Sequence, residues 1–302
     1  MMQEIKSMVL YQEVEAMALE KGFSIELSPL LNDSPVFNYA HGSHEVDELS
    51  RKIIIKIRKD SWGDVGVWVH EILHAKLYLT GYPRFYIFPS YQQPPALERF
   101  LSEIENTAQH TLIYKEMKQL GYEHSQIDEE IVNETIIQID TVYEGPDKIR
   151  RAWGIFEAYL KNPDIILSHD LDFRKKQPYE YSLFKKFKNK MFDTSSPAKM
   201  REAIVSCLDL IEKPLTQMNK QEYHLKIFNS IPAVLSKSDL SRKAKDIFYI
   251  LQFNEFPHYF VMGRRDKQCC FFLNPLISRE ELDYRLDAFS AEEFLMFCEM
   301  GG

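Results

Sequence analysis

The chain has 302 residues, of which 45% are apolar and 27% charged, and its formal charge is −8. This is a globular composition, which excludes a disordered chain, and the length suffices for one large core or two modest ones. An acidic surface does not attract phosphate backbones as a whole, so nucleic acid is not an expected partner.

No apolar run approaches the roughly 20 residues of a membrane span, so none is expected. The first segment carries charges inside its apolar pattern and reads as an amphipathic helix, not a signal peptide. Cys207, Cys269, Cys270 and Cys298 include no C-x-x-C pair. They are expected to be reduced, packed thiols, which suits a cytoplasmic protein.

In chain order, residues 7–21 have apolar side chains at helical spacing, with Gly22 as a stop. Strands are expected over 23–28, 34–40 and 51–60, the last rich in isoleucine. The segment between them, HGSHEVDE at 41–48, holds His41, His44 and Glu45 and reads as a polar loop, in preference to part of a site rim. A helix follows, with Asp64 at its N-cap and Gly81 and Pro83 at its end. A second long helix covers 95–120 and is closed by Gly121. Beyond it, helices are expected over 128–144, 147–161, 199–213 and 238–253. The basic-aromatic stretch 173–192 reads as an amphipathic helix with a solvated basic face, in preference to a nucleic-acid surface. A hairpin is expected over 258–275, turning at 264–267, and a last helix starts at Ser290. The fold class is thus α+β, with residues 1–125 as one unit and 126–302 as a mainly helical remainder.

The helix after Asp64 contains HEILH, residues 70–74. Residues four apart on a helix stack on one face, so His70 and His74 can offer two imidazole nitrogens to one ion. Glu71 lies about 100° further round, placed to reach a water on that ion. Chance gives roughly 0.02 such matches in a chain of this content. Val67, Trp68, Val69, Ile72, Leu73 and Ala75 surround the motif with uncharged residues. Such surroundings keep histidines neutral, as ligands must be.

This helix resembles that of the zincin metallopeptidases, whose extended pattern wants uncharged residues at nearly all these positions. Lys76 departs from the pattern, and a lysine there can snorkel outward. The resemblance covers about residues 23–120 and implies a Zn²⁺ ion, a peptide or protein substrate, and a third ligand on a later helix. On the helix 95–120, Leu97, Leu101, Ile104, Ala108 and Leu112 form a core stripe, while Glu103, Asn106 and His110 share another face. His110 and Glu103 are rival third ligands, and Glu105, at the stripe's edge, is a third candidate. Neither glutamate is followed by an acid a turn later, as the two-histidine, one-glutamate pattern requires.

The resemblance implies peptide-bond hydrolysis with Glu71 as general base. The strand at 53–59 is expected to be an edge along which an extended peptide pairs. The alternatives are a non-catalytic regulatory module of the same fold and a zinc hydrolase of a non-peptide amide. His224 and His258 are further titratable groups to which the sequence assigns no role.

Overall fold

The computed structural model describes residues 1–30, 41–88, 95–122, 126–274 and 276–301. The architecture is α+β. The chain divides into two compact units, each drawn from three segments. The first comprises Met1–Tyr82, Gln109–Thr141 and Gly154–Pro178; the second comprises Pro83–Ala108, Val142–Trp153 and Tyr179–Gly302. A single boundary near residue 125 does not describe this division, because both units take residues from either side of it.

The first unit begins with α1 (Met2–Ser7) and α2 (Val9–Glu20). The single helix expected over 7–21 is interrupted at Met8, whose backbone is extended (φ −69°, ψ 138°). Three strands follow: β1 (Ser24–Leu30), β2 (Gly42–Asp47) and β3 (Lys52–Arg58). They form one sheet in the order β1-β3-β2, with β1 parallel and β2 antiparallel to β3. Two expectations are corrected here. The polar loop expected at 41–48 is largely a strand, β2. The isoleucine-rich strand β3 is not an edge, since it pairs on both sides. The strand expected over 34–40 lies outside the described residues.

The alternation in β3 sets the layer. Ile53, Ile55 and Ile57 are buried, while Ile54, Lys56 and Arg58 are half-buried, the period of two that a pleated strand imposes. The inward isoleucines share a core with Leu10, Val14 and Ala18 of α2 and with Trp68, Val69, Ile72 and Leu73 of α3 (Val65–Leu79). Each such burial contributes about 1.5–3 kcal/mol. Helix α3 is buried on most of its circumference, as a helix apolar all round must be.

Both ends of α3 are fixed by local chemistry. The Asp64 carboxylate accepts from the Gly66 and Val67 amides at 2.8 and 3.4 Å. At the other end Gly81 takes φ +82°. There the Gly81 amide donates to Tyr78 O and the Tyr82 amide to Leu77 O, both at 3.0 Å, which closes the last turn as a Schellman motif. The unit is completed by the C-terminal part of α4 (Pro95–Gln119), α5 (Gln126–Ile137), the C-terminal part of α6 (Asp147–Lys161), α7 (Pro163–Ser168) and α8 (Asp170–Lys176). The helix expected over 128–144 stops at Ile137 and passes through a short 3-10 turn, Gln138–Asp140.

The second unit holds the remaining parts of α4 and α6, with β4 (Tyr86–Ile87), α9 (Pro178–Lys190) and α10 (Pro197–Asn219). Three single-turn helices follow, α11 (Leu225–Phe228), α12 (Lys237–Leu240) and α13 (Ala244–Ile247), with β5 (Asn229–Ser230) between the first two and paired to β4. Strands β6 (Phe248–Gln252), β7 (Tyr259–Gly263) and β8 (Cys269–Leu273) form an antiparallel sheet in that order. Helices α14 (Arg279–Ala288) and α15 (Ala291–Gly301) end the chain. The helix expected over 238–253 is therefore corrected: Phe248 and Ile250 are buried while Tyr249 and Leu251 are half-buried, an alternation that belongs to a strand. With β6 added, the expected hairpin is a three-stranded sheet.

The stretch 173–192 forms two helices, because Pro178 pushes Gln177 out of helical geometry (φ −131°). Its Phe173, Tyr181, Phe184 and Phe187 are buried. All four cysteines are free and buried. Among the described residues no helix is long and apolar enough to cross a membrane.

Candidate metal centre

Three imidazoles of the first unit converge. His74 Nε2 and His110 Nε2 each lie 3.1 Å from His70 Nε2. His70 and His74 come from one face of α3, and His110 comes from α4. Nitrogens about 2.0–2.1 Å from a tetrahedral zinc ion would stand about 3.3–3.4 Å apart, close to the spacing found.

The protonation pattern shows why these nitrogens face one another. His110 Nδ1 lies 2.8 Å from Glu157 Oε1. A carboxylate only accepts, so the proton sits on Nδ1 and Nε2 presents a lone pair. His74 Nδ1 lies 2.6 Å from Gln109 Oε1, which places its proton outward in the same way. His70 can donate a proton to one of these lone pairs but not to both. A cation between the three satisfies all of them. The donor set, three imidazoles without a thiolate, is one that Zn²⁺ accepts while keeping a fourth position open.

The surroundings of the two α3 histidines favour their neutral forms. His74 is buried. Burial, then the neighbouring histidines, holds the His70 imidazole well below its usual range, and burial does the same for His74. Neutral imidazole is the form that binds metal.

Glu71 is also buried, and burial raises its carboxyl above the usual range. One of its oxygens, a His44 nitrogen and a His74 nitrogen all lie within 4.8 Å of one another. His44 comes from β2, and its ring stacks on that of His74 with centroids 4.5 Å apart.

Behind His110 lies a second layer that the sequence did not reveal. The Tyr114 hydroxyl donates to Glu157 Oε1 at 3.1 Å. Lys161, one turn after Glu157, stands 3.6 Å from that oxygen, bonds Tyr114 and pairs with Asp128 at 2.5 Å. Glu157 lies 47 residues beyond His110, and Lys161 one turn further, so only the fold brings them to it.

The other candidates lie elsewhere. Glu103 is half-exposed and pairs with Arg150 at 2.9 Å in the second unit. Glu105, in the same unit, accepts from the Phe85 amide at 2.8 Å and pairs with Arg84 at 3.4 Å. Neither belongs to the histidine group. Lys76 reaches Glu116 at 2.5 Å, outside the motif's buried face. His224 is exposed and 3.6 Å from Glu222, and His258 packs edge-on against Phe88. No family model, curated protein or solved structure matches the chain.

Proposed function

We propose that the chain is a zinc-dependent peptidase of the zincin type. The observation that carries this reading is the convergence of three imidazole Nε2 atoms, two of them made to present lone pairs by Glu157 and Gln109. His70, His74 and His110 would hold the ion, and Glu103 would not. A zinc ion there supplies Lewis acidity and acidifies a water.

Glu71 is the proton carrier in this reading. It takes a proton from the attacking water and passes it to the leaving amine. Among the described residues β1 and β2 are the two outer strands beside β3, and β2 is the one that carries His44 to Glu71. An extended peptide would pair along it by main-chain hydrogen bonds, so β2 takes the place first expected for β3.

The Glu71→Gln variant tests the reading. It should keep stoichiometric zinc by elemental analysis and lose hydrolysis of fluorescent casein by about 10²–10⁴-fold. Undiminished hydrolysis with zinc retained would rule out Glu71 as the base.

A further inference from the structure

Strand β2, one of the two outer strands of its sheet, meets Glu71 at two points. Gly42 and His44 are two residues apart, so they face the same side of the sheet. A Cβ at position 42 would lie 2.8 Å from Glu71 Cγ, 2.9 Å from Glu71 Oε1 and 2.8 Å from Ile57 Cδ1 of the neighbouring strand. The φ of Gly42 is not positive, so this glycine serves space and not backbone conformation. His44 Nδ1 stands 3.4 Å from the other oxygen, Glu71 Oε2. That is long for a hydrogen bond, and such contacts commonly tighten when substrate binds.

We propose that Gly42 and His44 form a positioning clamp for Glu71. Gly42 lets the backbone of β2 lie against one side of the carboxylate, and His44 donates Nδ1–H to the other. The stack of His44 on His74, with planes 11° apart, fixes the imidazole that makes the contact. The clamp is a property of the fold, while its catalytic consequence rests on the reading of Glu71 as proton carrier. A misplacement of about 1 Å is enough to cost about 100-fold in rate.

Two measurements on the full chain test it. In metal-free protein, urea unfolding of His44→Leu, Glu71→Leu and the double variant forms a mutant cycle in which each substitution removes one partner of the contact. The expected result is that the midpoint shift caused by His44→Leu is at least halved in the Glu71→Leu background. Additive shifts would overturn the clamp. In zinc-loaded protein, His44→Leu and Gly42→Ala should lower kcat on fluorescent casein by about 100-fold with KM and zinc content unchanged. His44→Asn, whose amide can replace the Nδ1 donor, should restore most of the loss. An unchanged kcat in His44→Leu, or no rescue by asparagine, would overturn the positioning role. If the unsubstituted protein hydrolyses nothing, the peptidase reading fails, and the unfolding cycle still decides the clamp.

Discussion

Glu157 settles which nitrogen of His110 carries the proton, and a neutral acceptor would settle it less firmly. Glu157→Gln should therefore weaken zinc binding by about 10–100-fold in a chelator competition, while Glu103→Gln should leave it unchanged. Equal effects of the two would contradict the ligand set. The two α3 histidines also set a pH dependence. His70 and His74 have folded pKa values held below the unfolded value of about 6.5. Their neutral forms favour folding, so their contribution is full above about pH 6.5 and is lost as the pH falls below it. Glu71, raised by burial, acts in the opposite sense: its contribution is present at low pH and lost as the pH rises through the folded value. With two histidines against one glutamate, urea midpoints of metal-free protein should fall from about pH 7.5 to about 5.5. A His70→Gln, His74→Gln double variant should flatten that fall, and an identical slope in the variant would show that other groups set it. His70, Glu71 and His74 were readable because a helix turns sequence spacing into proximity. Gln109, Tyr114, Glu157 and Lys161 were not, because nothing local ties them to the motif.

Helix α3 carries two of the three imidazoles, and its ends hold it in register. Asp64→Ala removes the cap from Gly66 and Val67 and should cost about 1 kcal/mol. Gly81→Ala forces a side chain onto a φ of +82° and should cost roughly 1–2 kcal/mol. Thermal unfolding monitored by circular dichroism checks both, and a variant as stable as the parent would contradict the assigned role. The helix was legible because cap, apolar run and stop residue agree. Strand β2 was not, because Gly42, Ser43, His44, Glu45 and Asp47 look like a loop without their partner β3. In β6 the ambiguity was of another kind: Phe248–Leu251 is a short apolar run that both a helix and a strand can use.

At the scale of the molecule, the two units are interleaved along the chain, so a cut after residue 125 removes α5, α7, α8 and the end of α6 from the first unit. A chain ending there should fail to reach the zinc affinity of the full chain and should unfold at lower urea, as titration and circular dichroism would report. Full affinity would show that residues 1–125 suffice. A boundary near 125 follows from composition, which changes there, but composition does not record which segments return to an earlier core. The partner of His110, Glu157, is itself 47 residues downstream. During synthesis the three histidines emerge well before Glu157 does, so the nascent chain displays the proposed ligands before His110 can be oriented. Tight loading of the proposed site would thereby be an attribute of the finished chain, and the order in which residues leave the ribosome would delay an ion until the fold that must contain it exists.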